Sequence, residues 1–141
     1  TSALQTWIPR REPPGGAPYA TLVPRTDADG IDLGGLRLPE IAVPLATYTG
    51  WNLRTQANGS GDRLVDFFGT FLPFATARAR RMAANDPRLS VEERYADRGA
   101  YLHAYDDASA SLVRGGYVLQ EDAPALHARA AELWTQLVPH R

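Results

Sequence analysis

The chain has 141 residues, of which 44% are apolar and 22% charged, and its net charge is −1. That suffices for one domain with a buried core and argues against a disordered chain. The near-zero charge offers no field to attract nucleic acid or an acidic membrane surface, and the absence of Cys excludes disulfides, thiolate metal sites and a Cys nucleophile.

Residues 1–19 hold four of the eleven prolines (Pro9, Pro13, Pro14, Pro18) with Gly15 and Gly16, and read as an extended Pro-rich connector. The first residues, Thr-Ser-Ala-Leu-Gln, carry neither an initiator Met nor a basic and apolar leader, so the expectation is a chain that begins part-way into a larger product. Residues 20–74 read as a β-hairpin followed by an aromatic liner. Strands are expected at Thr21–Arg25 and Ile31–Leu38, with Asp29-Gly30 at the bend. The liner, Gly35 to Arg54, is apolar but interrupted by Pro39, Pro44 and Gly50, so neither a long helix nor a long strand can form in it. Its polar-tipped residues, Tyr48, Trp51, Asn52 and Arg54, need partners if buried. A polar loop at residues 56–62 separates it from a second apolar block, Leu64 to Phe74, which contains all four Phe.

Residues 75–141 read as helical. Ala75 to Asn85 is rich in Ala and Arg, and Asp86-Pro87 ends it. Ser90 with Glu93 makes a capping box for a short helix, Val91 to about Tyr95. Asp97 caps a longer helix to Arg114, with Tyr101, Tyr105, Ala108 and Leu112 on one face, and Gly115-Gly116 stops it. Pro124 opens a last helix to about Val138, with Leu126, Ala130, Leu133, Trp134 and Leu137 inward. The last two helices are expected to pair as an antiparallel hairpin. The fold class is therefore a mixed α+β piece, irregular and β-rich first, helical second. No run approaches the roughly 18 apolar residues of a membrane span.

The candidate sites are few. Asp27, Asp29 and Asp32 lie close together, but an EF-hand loop needs a ligand at its fifth position and Gly at its sixth, where Ile31 and Asp32 stand; a turn is the better reading. His103, His127 and His140 lack the spacing of a zinc site and are read as helix-surface or tail residues. Asn58-Gly-Ser60-Gly fits no nucleophile elbow, since no Gly-x-Ser-x-Gly occurs in the chain. Thr1 is followed by no buried strand that would support an N-terminal nucleophile. All fifteen basic residues are Arg, a pattern of codon usage in a GC-rich genome before one of phosphate recognition. Arg78, Arg80, Arg81 and Arg88 cluster without interleaved aromatics and are read as solvated helix residues that pair with Glu92, Glu93 and Asp97 for little net energy. No catalytic, cofactor-binding or metal-binding residue is assigned.

Three blocks together resemble a known family: Leu22 to Gly30 running into Leu36 to Arg54, then Gly69-Thr-Phe-Leu-Pro-Phe74, then Asp86-Pro-Arg-Leu-Ser-Val-Glu-Glu-Arg-Tyr95. The succession is similar to the C-terminal region of large bacterial α/β-hydrolase domain-containing proteins of esterase type, and covers most of residues 20 to 138. The resemblance implies a hydrolase whose serine motif, acid and histidine lie upstream, and transfers no triad residue to this chain. The chain is then expected to wrap or complete a catalytic body, in the same protein or a companion chain, through an apolar surface of Tyr48, Trp51, Arg54, Phe67, Phe68, Phe71 and Phe74. The competing reading is a stand-alone, non-catalytic binding or protein-interaction module.

Overall fold

The Asp29-Gly30 bend is real, but the strands expected on either side of it are not. In the computed structural model, which describes residues 22–58, 63–65 and 67–138, Thr26 and Asp32 form a single antiparallel bridge, with Leu33 N–H donating to Arg25 O at 2.9 Å. The Asp27 carboxylate takes the backbone N–H groups of Asp29 (2.9 Å) and Ile31 (3.0 Å), so the turn closes on itself instead of feeding a ladder. Gly30 has φ +76°, a region that favours Gly. The pairing does not spread into Gly34-Gly35, which has no side chains to pack across a ladder. Thr21, like the connector at 1–19, lies outside the described residues.

Within the liner, Pro39 opens a one-turn helix, α1 (Pro39–Ala42), at the position where its missing N–H costs nothing. Pro44 and Leu45 then lead into β1 (Ala46–Thr49), which pairs antiparallel with β2 (Thr70–Pro73), Tyr48 facing Phe71 and Ala46 facing Pro73. Phe74 N–H donates to Leu45 O at 3.0 Å. That bond makes 45/74, 47/72 and 49/70 the hydrogen-bonded pairs, and Pro73 falls where the ladder asks for no donor. Further out, Leu53 bridges Leu64, and Arg54 N–H donates to Arg63 O at 2.8 Å. Three residues separate Thr49 from Leu53, but five separate Leu64 from Thr70. The second arm therefore carries two extra residues and must bulge outward.

α2 (Arg78–Ala83) ends in a Schellman motif: Asn85, at φ +51°, donates to Met82 O at 3.2 Å, and Asp86 donates to Arg81 O at 3.1 Å. α3 (Val91–Arg94) has the expected capping box, with the Glu93 carboxylate accepting from Ser90 N–H at 2.9 Å and Ser90 Oγ at 2.7 Å. α4 (Arg98–Arg114) is capped by Asp97, whose carboxylate accepts from Ala100 N–H at 2.8 Å, and it ends at Gly115 in the same Schellman pattern, with Tyr117 N–H on Leu112 O. α5 (Ala123–Leu137) follows a 3₁₀ turn at Gln120–Asp122.

α4 and α5 pack together, and α1 packs on α4. Arg98 near the start of α4 shares a surface cleft with Thr135 of α5, while Val113 near its end lines another with Ala123, so the two helices run antiparallel. The α4 face differs by one residue from the expected one: Tyr101, Tyr105 and Leu112 are buried, but Ser109 takes the innermost place expected for Ala108. Ser109 is accommodated because its hydroxyl donates to Tyr105 O at 2.9 Å. The core joins both halves of the chain: Leu45, Phe74 and Val91 meet Tyr101, Tyr105, Ala130, Leu133 and Trp134. Tyr101 is its centre, with rings of Tyr95 and Trp134 each 5.2 Å away.

Candidate functional site

The hairpin, the turn at residues 27–31 and helix α3 are bound together by arginines. Arg94 forms a two-point ion pair with Asp29, and its guanidinium lies 4.2 Å from the Phe74 ring centre. Arg88 approaches the same ring at 5.2 Å, pairs with Asp86 at 2.6 Å, and donates to Thr47 Oγ1 and Leu72 O, both at 2.9 Å. Thr47 Oγ1 in turn donates to Asp29 O. Arg81 makes a fork with Glu93 at 2.8 and 3.0 Å. Arg81 thus makes the expected pair with Glu93, but Arg81 and Arg88 are less solvated than expected, their side chains being only 16% and 18% exposed. Arg78 and Arg80 are exposed as expected. Arg81, with Ser90, holds the Glu93 carboxyl down to about 2, and Arg88 lowers that of Asp86.

The three carboxylates of the turn face three different partners. Asp27 Oδ2 accepts from Arg37 at 2.6 Å, Asp29 is held by Arg94, and Asp32 Oδ1 accepts from Trp51 Nε1 at 3.1 Å. Burial opposes ionisation of Asp27, but the bonds from Arg37, Ile31 and Asp29 prevail and lower its pKa. Among the described residues no group of three or more His, Asp or Glu is disposed to hold a metal ion. His103 and His127 each meet an aspartate, Asp107 at 3.1 Å and Asp106 at 2.9 Å, with His103 the more exposed. His140, Thr1 and Ser60 lie outside the described residues.

The aromatic liner divides into an inner and an outer part. Phe74 is 4% exposed and belongs to the core, so it leaves the proposed outward set; its bond to Leu45 and its two arginine neighbours turn it inward. Trp51 is half-buried, its indole N–H on Asp32 and its carbonyl accepting from the Thr49 and Thr70 hydroxyls. Tyr48 is half-buried, its ring tilted against Phe71 at 5.2 Å. Arg54 is exposed. Phe71 is half exposed, Phe68 is 66% exposed, and Phe67 is completely exposed. Leu53 and Leu72 are also exposed. Phe67 also has φ +65°, an unfavourable conformation for a bulky side chain. Gly69 beside it has no room for a side chain, since a Cβ would lie 2.3 Å from Thr49 O. The outward bulge therefore presents Phe67 and Phe68 on a backbone that the hairpin forces into shape. Sequence reasoning found the aromatics but not the bulge, because two extra residues in one arm become visible only once the register is known.

A family model described as an alpha/beta hydrolase domain matches residues 1–128, and the chain belongs to that family. No curated protein and no solved structure matches the chain. Among the described residues no helix is long and apolar enough to cross a membrane.

Proposed function

We propose that this chain is a C-terminal, accessory part of an esterase-like α/β-hydrolase protein, covering a catalytic body that carries the serine triad upstream. The observation that carries the reading is Phe67: a fully exposed aromatic in a left-handed conformation, next to exposed Phe68 and Phe71. Strain and apolar exposure at the same place are costs that a bound surface would offset. The chain contains no Gly-x-Ser-x-Gly, in keeping with a nucleophile held elsewhere.

The test has two arms. The 141-residue chain alone is expected to hydrolyse no p-nitrophenyl ester above background and to take no serine-reactive fluorophosphonate label. Extended by the polypeptide its reading frame encodes before Thr1, it is expected to do both, and Phe68→Asp is expected to weaken the activity. Labelling of the short chain, or an extended chain with no serine motif, would overturn the proposal. A stand-alone binding module is the second reading, favoured by a core that closes between Leu45 and Trp134. An extended chain indifferent to Phe68→Asp would favour it.

A further inference from the structure

Away from the aromatic edge, a groove of about 270 Å³ runs between the second half of α4 and the start of α5. Ala110, Val113 and Ala123 give it an apolar lining, with Gln120 beside them. Its two ends differ. Arg114 stands at one, without an ion-pair partner among the described residues. Asp106 stands at the other, both of its carboxylate oxygens 2.9 Å from Nδ1 of His127. Ser109 in the wall is no free donor to a ligand, being bonded to Tyr105 O. Asp106 and Arg114 are eight residues apart on one helix, which sets them about 12 Å apart along its axis.

We propose that this groove is a binding site for a small amphipathic carboxylate of medium chain length. The carboxylate pairs with Arg114, whose planar fork suits a two-oxygen partner. The apolar body covers Ala110, Val113 and Ala123. Asp106, held at 2.9 Å by His127, closes the far end, which limits the length of ligand that fits. Such a site is concave and largely apolar with one charged anchor, at the small end of the size range of ligand clefts. It is independent of the surface proposed to meet the catalytic body.

The test is a titration of the full chain with octanoate, followed by amide chemical shifts. Shifts are expected at Ala110, Val113, Arg114 and Ala123, with none at Phe68 or Phe71. Affinity is expected to rise about fourfold per methylene from butanoate to octanoate, then to level off as the chain meets the His127–Asp106 pair. Octan-1-ol is expected to bind at least tenfold more weakly. Arg114→Gln is expected to weaken octanoate tenfold or more and Arg114→Lys less, with unchanged melting temperatures in both. Equal binding of octanol and octanoate, indifference to Arg114→Gln, or shifts at the aromatic edge instead of the groove would each overturn the site. Affinity that keeps rising beyond ten carbons would overturn the role given to His127 and Asp106.

Discussion

Arg94 and Asp29 are separated by 65 residues and meet in a two-point ion pair, their side chains only 13% and 22% exposed. The pair fastens the turn of the first half to α3 and sets the Arg94 guanidinium on Phe74. Removing either partner leaves a partly buried charge without its counterpart. Arg94→Ala is expected to cost about 1.5–3 kcal/mol in urea denaturation. With Asp29→Asn the double variant should lose less than the sum of the two. Strict additivity would show that the pair contributes no mutual energy.

Two tyrosines, Tyr95 at the edge of the core and Tyr105 within it, make opposite predictions. Tyr95 donates its hydroxyl to Pro44 O at 3.0 Å, whereas the Tyr105 hydroxyl is buried with no partner among the described residues. Burial pushes the pKa of each up to about 12. Tyr95→Phe is expected to destabilise by about 1 kcal/mol, the net value of a hydrogen bond. Tyr105→Phe removes an unsatisfied group and is expected to be neutral or stabilising. A larger loss at 105 than at 95, in thermal or chemical denaturation, would show that the Tyr105 hydroxyl is satisfied in solution.

Acid stability follows from the lowered carboxylates. The folded-state pKa of Glu93 lies below its unfolded value of 4.5, at about 2, chiefly through the Arg81 hydrogen bonds. Its stabilising contribution is therefore complete above pH 4.5 and disappears as the pH falls toward 2. Asp86 and Asp27, also lowered, act in the same direction. The melting temperature is expected to drop through this window, and Glu93→Gln is expected to flatten part of the drop. A variant whose profile matches that of the parent would remove Glu93 from the account.

The inner and outer phenylalanines are expected to separate cleanly. Phe74→Ala empties a core position and should cost about 3–5 kcal/mol. Phe68→Asp, on an exposed ring, should change the stability of the chain by no more than about 0.5 kcal/mol. Equal losses by calorimetry would mean that the outer ring is packed.

The helical half was legible because its signals are local. Ser90 with Glu93, Asp97, Gly115 and Pro124 each act within one turn of the helix they start or stop. The first half was not, because its outcome depends on distant partners. Asp29-Gly30 correctly announced a bend, but nothing nearby showed that Asp27 would capture the N–H groups needed for a strand. The pairing of Ala46–Thr49 with Thr70–Pro73 crosses a long connection, and neither segment alternates clearly enough to announce it. Arg88 looked like a surface residue because Thr47, Leu72 and Phe74, which it touches, come from elsewhere. Of the expected outward set, Phe74 lies in the core and Tyr48 and Trp51 are half-buried, because their partners Leu45, Phe71 and Asp32 come from distant positions.

The composition of the core has a consequence for how the chain is made. Leu45 and Phe74 find their packing partners in Tyr101, Tyr105, Leu133 and Trp134, and Glu40 finds Arg129 across 89 residues. During synthesis from the N-terminus, the first half emerges long before the helices that cover it. Leu45 and Phe74 stay uncovered on the ribosome until α4 and α5 have appeared, whereas those two helices can meet each other as soon as they emerge. Leu45 and Phe74 thus settle onto helices that are made after them.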